Sequence, residues 1–193
     1  RGLEFHTSSL VLATSLQDRH GEFVSWSNLS VALVDSGLYS EGAECASRAL
    51  MLVSPEEEKA DDKRARVLNN TALALLLRGD IEQAEMCASK AIALSSEPTS
   101  HQEAVLRLVR ELNMVMVLVA NKKFAIARIH SQYMGGLAAR FQSPRNNGIA
   151  RLCEGLTEVY VGDAHRGLSL VEETAAAFKG VMIPLYVDAL SVL

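Results

Sequence analysis

Aromatic side chains are scarce in this sequence. Phe, Trp and Tyr make up 5% of its 193 residues, although 49% are hydrophobic. Strand-built cores draw heavily on aromatic and β-branched residues, so the shortage argues against an all-β chain. Cysteine is nearly absent too, with Cys45, Cys87 and Cys153 alone and no CxxC pair. An odd, widely spaced set makes neither a disulfide framework nor a zinc site. It suits small packing residues in a reducing compartment, and a cytoplasmic location is expected.

Excess positive charge is also missing. Lys and Arg total 19 against 23 Asp and Glu, for a formal charge of −4. No basic run with interleaved aromatics occurs, so a nucleic-acid partner is not expected. No apolar run approaches the ~20 residues of a spanning helix, and neither a membrane segment nor a signal peptide is expected. The longest such run, residues 114–120, is followed at once by Asn121-Lys122-Lys123. The chain has no starting Met and ends inside the apolar stretch 184–193, which reads as a piece of a longer protein. Catalytic signatures are missing as well. His6, His20, His101, His130 and His165 never pair at helical spacing, and no HExxH, GxSxG, P-loop or GxGxxG occurs. No catalytic residue, metal ligand or cofactor is predicted, and the chain is read as a non-enzyme.

What is abundant is Ala, at 25 residues, and Leu, at 27. Both are strong helix formers, so the fold class expected is all-α. An internal repeat sharpens this. The segments 29–52 and 71–94 align without gaps at an offset of 42 residues, matching Gly37 with Gly79, Cys45 with Cys87, Ala46 with Ala88 and Ala49 with Ala91. A third copy follows around Asn113, Leu118, Phe124 and Ala127, and a fourth around Gly155, Gly162 and Gly167.

Each copy reads as two helices and a tight turn. Gly37 and Gly79 stand where a helix must stop and the chain reverse. Ala43, Ala46 and Ala49, then Ala84, Ala88 and Ala91, line one face at three- and four-residue spacing and let helices approach closely. Start signals appear at Ser54-Pro55-Glu56-Glu57, at Ser100 with Glu103, and at Ser143-Pro144. Ten helices are expected, over 3–16, 21–36, 39–53, 56–77, 81–94, 100–120, 123–140, 144–161, 164–179 and 183–193.

The pattern Trp26…Asn28-Leu29…Ala32…Gly37-Leu38-Tyr39…Ala43…Ala46…Ala49-Leu50…Leu52…Pro55 resembles a tetratricopeptide repeat. Its period is 42 residues rather than the family's common 34. That longer form, with Leu68-Asn69-Asn70-Thr71-Ala72, is similar to the arrays of kinesin light chains and bacterial regulators. Gly42 stands where the family favours Ala, and Lys122 where it favours Gly. The resemblance implies a single array over 1–193, an α-solenoid wound as a right-handed superhelix of antiparallel helix pairs. Its parts would be the second helix of a truncated repeat at 1–16, repeats at 21–53, 56–94 and 100–140, a degenerate repeat at 144–179 and a truncated final helix at 183–193.

The resemblance also implies a ligand-facing inner surface. Carried over residue by residue, it includes Ser27, Val31, Val34, Arg66, Asn69, Leu73, Leu76, Leu112, Met116 and Val119. Two readings stay open for the apolar members. Either they form an exposed stripe for an apolar or amphipathic segment, or helix packing absorbs them into the core. Asn69 suits hydrogen bonding to a peptide backbone, whereas Asn28, Asn70 and Asn113 suit structural bonds. Arg66 suits either a partner carboxylate or ion pairs with the acidic run at Glu56-Glu57-Glu58 and Asp61-Asp62.

The expected function is therefore a non-catalytic protein–protein interaction module. It would be the regulatory or scaffold part of a larger signalling protein, taking a protein or peptide partner on its concave face. Self-association through the apolar C-terminal helix is a further expectation. The alternative is an input domain that senses a small ligand or signalling peptide and controls a linked output domain.

Overall fold

In the computed structural model, residues 2–57 and 59–177 are described. Among them the chain is all-helical, with α1 (Gly2–Ser15), α2 (Arg19–Asp35), α3 (Tyr39–Met51), α4 (Ala60–Arg78), α5 (Ile81–Ala93), α6 (His101–Ala120), α7 (Phe124–Arg140), α8 (Pro144–Val161) and α9 (Ala164–Ala177). The expected helix at 183–193 lies outside the described residues. The chain divides into two compact units, residues 1–95 and 96–193, at the boundary between the second and third copies of the repeat.

Four helices end in the same way. After α2, the Gly37 N–H donates to Val34 C=O at 3.0 Å and the Leu38 N–H to Leu33 C=O at 2.9 Å. The same pair of bonds closes α4 at Gly79 and Asp80, α6 at Lys122 and Lys123, and α1 at Gln17 and Asp18. This is a Schellman turn, which needs one residue in the left-handed region. Gly37 (φ 79°) and Gly79 (φ 93°) supply it cheaply, whereas Gln17 (φ 55°) and Lys122 (φ 58°) adopt it with a side chain attached. The two glycine turns were expected. Lys122 holds the same turn despite its departure from the family pattern.

Helix starts agree with the sequence at two of three sites. Ser143 accepts the Asn146 N–H at 3.0 Å, with Pro144 opening α8. Ser100 accepts the Glu103 N–H at 3.3 Å, while the Glu103 carboxylate reaches back to the Thr99 N–H at 2.7 Å. The third start is displaced. The Ser54 hydroxyl donates to the Glu56 carboxylate, and Glu57 pairs with Lys63. With those groups engaged, residues 55–57 form a turn and bend, and α4 begins at Ala60 rather than 56.

In the first unit, consecutive helices pack side by side. Phe23, Ala46, Ala49, Val53, Ala60 and Val67 form a buried cluster, with Val24, Trp26, Leu50 and Leu52 against it. The alanine faces do what their spacing implies, since Ala46 and Ala49 on α3 and Ala84, Ala88 and Ala91 on α5 are buried. The three cysteines are free thiols.

In the second unit, α6 packs against α7 and α8, and α8 against α9. Every residue of α6 from Glu111 to Val119 is buried. A helix walled in by protein is apolar all round, which accounts for the run at 114–120. Between α8 and α9 the backbones nearly touch. A Cβ at Gly167 would lie 2.5 Å from the Val159 nitrogen, and one at Gly155 would lie 3.0 Å from Gly167 C=O. Small residues at such a crossing allow this approach.

A groove between two helices as the candidate functional site

Two helix faces with identical spacing build the site. On α7 it is lined by Arg128, Ser131, Gln132, Gly135, Ala138 and Ala139, and on α8 by Asn147, Ala150, Arg151, Glu154, Thr157 and Glu158. Both sets step by 3, 1, 3, 3 and 1 residues, so each occupies one side of its helix. Between them lies a groove of about 640 Å³.

The floor is small and polar. Ala138, Ala150, Ser131 and Thr157 are buried there. The Thr157 hydroxyl lies 3.1 Å from its own helix's Cys153 C=O and 3.4 Å from the Ser131 oxygen. Below them Cys153 is fully enclosed. Burial pushes its thiol far above the ordinary range, and a hydrogen bond from Ser131 offsets only part of that. Gly135 sits mid-helix, and a Cβ there would meet nothing within 4 Å.

The rim carries charges of both signs, most of them engaged. Arg151 pairs with Glu173 at 3.1 Å, and Arg166 donates to the Glu154 carboxylate. The Glu158 carboxylate accepts the Asp163 N–H at 3.1 Å and so caps the turn into α9. The side chains of Arg128, Gln132 and Asn147 have no hydrogen-bond or ion-pair partner among the described residues. Among the described residues, the groove therefore presents one unpaired cation and two free carboxamides over a floor of Ala, Ser and Thr.

The residues carried over from the repeat resemblance lie elsewhere. Ser27, Val34, Asn69, Leu73 and Leu76 in the first unit, and Leu112, Met116 and Val119 in the second, are buried. Ser27 donates to Phe23 C=O at 2.8 Å, a bond within its own helix. Val31 is 38% exposed. Arg66 is also exposed, and its guanidinium donates to the Asn28 carboxamide oxygen at 3.0 Å, bridging α4 to α2. Its partner is thus an asparagine rather than the acidic run, where Asp61 pairs with Arg64 and Glu57 with Lys63.

None of the twelve groove residues was singled out from sequence. The signal was present as matched spacing on consecutive helices on either side of Ser143-Pro144. It was masked because polar residues at helical spacing read equally well as a solvated face.

Among the described residues, no helix is long and apolar enough to cross a membrane. No group of three or more His, Cys, Asp or Glu there is placed to hold a metal ion. Comparison of the chain with family models gives no match, and comparison with curated proteins gives no relative.

Proposed function

We propose that this chain is a non-catalytic helical-repeat interaction module, of the tetratricopeptide-like α-solenoid type, that takes a peptide segment of a partner protein. The 42-residue repeat and the consecutive packing of its helices support the architecture. The observation that carries the binding role is the α7–α8 groove. Its volume, about 640 Å³, falls in the range of ligand sites, and its free polar groups stand over a shallow small-residue floor. The partner face then lies on α7 and α8 rather than on the residues carried over by resemblance, most of which are buried.

The same volume supports the second reading, a small-ligand sensor. The two differ in what fills the groove. Panning displayed random dodecapeptides on the chain, with a Gly135→Trp variant as counter-selection, separates them. Gly135 has open space around its Cβ, so the Trp variant folds and fills the groove. Sequences enriched on the parent and lost on the variant support the peptide module. Enrichment of nothing, or equal recovery on both proteins, sinks it and leaves the small-ligand reading standing.

A further inference from the structure

We infer that the end of the α7–α8 groove between Arg128 and Glu158 takes a small zwitterion, a free α-amino acid, with its carboxylate at Arg128 and its ammonium at Glu158. The amino acid then competes with the peptide for the groove, and that competition alone rests on the peptide reading.

Charge is the first argument. Four ionised side chains line the groove. Arg151 is paired with Glu173, and Glu154 with Arg166. The two that are left have opposite signs. The Arg128 guanidinium has no partner among the described residues, and the Glu158 carboxylate is bonded to a neutral group, the Asp163 N–H, at 3.1 Å. Neither is paired with the other. A ligand covering this end takes water from a cation and an anion at once. An ion of either sign would satisfy one and repel the other, and an uncharged molecule would strand both. A zwitterion supplies both counter-charges.

Placement is the second. Residues 141–143 join α7 to α8, and the helices meet at Ser131 and Thr157, so the start of one lies beside the end of the other. Arg128 stands about 4.5 Å and Glu158 about 1.5 Å beyond that meeting point, in the same direction. The backbone fields there carry the signs of the side chains. Arg128 follows the first turn of α7, which has no acid and comes directly after Lys122 and Lys123. Glu158 opens the last turn of α8, which has no base. A helix start favours an anion and a helix end a cation. Each residue therefore stands where its own helix disfavours it, and adds to the field that one end of a zwitterion meets.

Room is the third. Beyond Ser131 and Thr157 the groove is lined by Gly135, Ala138 and Ala150. A Cβ at Gly135 would meet nothing within 4 Å. A side chain on the carbon that bears both charges can run along this floor.

The test screens the twenty amino acids against the chain by ligand-observed NMR and measures those that bind by calorimetry. Each is compared with its N-acetyl and its C-amide derivative. At least one free amino acid should bind, and either derivative should bind about tenfold or more weakly. Two variants assign the charges. Arg128 is exposed, and Glu158→Gln keeps an acceptor for the Asp163 N–H, so both variants fold. Arg128→Ala should weaken the free amino acid about tenfold or more and leave its amide unchanged. Glu158→Gln should weaken the free amino acid to a similar degree and leave the N-acetyl derivative unchanged. The amino acid should also displace peptides selected by panning.

Binding by no amino acid overturns the inference and leaves the peptide reading to its own panning test. Derivatives that bind as tightly as the free amino acid, or an Arg128→Ala effect equal on acid and amide, overturn the assignment of the two charges. An amino acid that binds and leaves the peptide in place overturns the competition.

Discussion

His130 Nδ1 lies 2.6 Å from one oxygen of the Glu111 carboxylate, whose other oxygen accepts the Arg107 Nε–H at 2.8 Å. Glu111 is 1% exposed, so this carboxylate has exchanged water for two side-chain donors, one from its own helix and one from α7. Arg107 in turn covers the Tyr133 ring, and the Tyr133 hydroxyl donates to Glu97 at 3.1 Å. Removing one member of a buried pair leaves the other charged and unpaired, at a cost of 3–5 kcal/mol in well-buried cases. Glu111→Ala should therefore lower stability in urea by about 3 kcal/mol. His130→Ala, which leaves Arg107 in place, should cost about 1–3 kcal/mol. A loss under about 1 kcal/mol for Glu111→Ala would mean that water reaches the pair.

Burial separates two residues that resemblance placed on the same surface. Met116 is fully buried and Val31 is 38% exposed. Met116→Glu puts a carboxylate into a site with no donor prepared for it and should unfold the second unit, read as lost helicity and a lost cooperative transition. Val31→Glu should change stability by no more than about 0.5 kcal/mol. Retained folding by Met116→Glu would return α6 to the list of open surfaces.

The same two residues show how far the sequence could be read. Helix identity, the glycine turns and two of three helix starts follow from local chemistry. Ser143 finds its N–H three residues on, and Gly79 takes the left-handed turn, whatever the rest of the chain does. The start of α4 was misplaced because Ser54 and Glu57 spent their capping groups on Glu56 and Lys63. Inner-face positions such as Met116 were legible as apolar but not as open or closed. That depends on which helices cover α6, which spacing along α6 does not record. The groove was hidden for a related reason. An empty space is a relation between α7 and α8, and neither helix alone encodes it.

The four equivalent turns predict opposite signs for reciprocal substitutions. Gly79→Ala forces a Cβ into the left-handed region and should cost about 1 kcal/mol. Lys122→Gly relieves that strain and, after the added freedom of the unfolded chain, should stabilise by a few tenths to about 1 kcal/mol. Urea midpoints of the two variants should move in opposite directions. A shift of the same sign would show that Lys122 makes a compensating contact.

Two helical glycines likewise differ in their surroundings. At Gly167 an added methyl would meet the backbone of α8, 2.5 Å from the Val159 nitrogen, and backbone cannot give way locally. Gly167→Ala should part α8 from α9 and cost about 1–3 kcal/mol. At Gly136 the same methyl meets nothing, so Gly136→Ala should stabilise by roughly 0.5–1 kcal/mol through helix propensity alone. Thermal denaturation of the two variants decides it, and destabilisation by Gly136→Ala would show α7 to be strained there.

Cys153 should make stability fall in alkali. Burial raises its thiol far above the ordinary value, with the nearby Glu111 charge adding to the rise and the Ser131 hydrogen bond opposing it. A raised folded-state pKa means that the fold favours the neutral thiol. Its contribution is therefore fully present below the unfolded value of about 8.5 and is lost as pH climbs beyond it toward the folded one. The loss approaches about 1.4 kcal/mol per pH unit, because the unfolded chain releases a proton that the folded chain retains. Cys153→Ala removes this term. Its stability relative to the parent should improve between pH 8.5 and 10.5, whatever its offset at pH 7. Cys45 and Cys87, also raised by burial, remain in both proteins and cancel from the comparison. Parallel stability curves across that window would mean that the folded chain opens Cys153 to water.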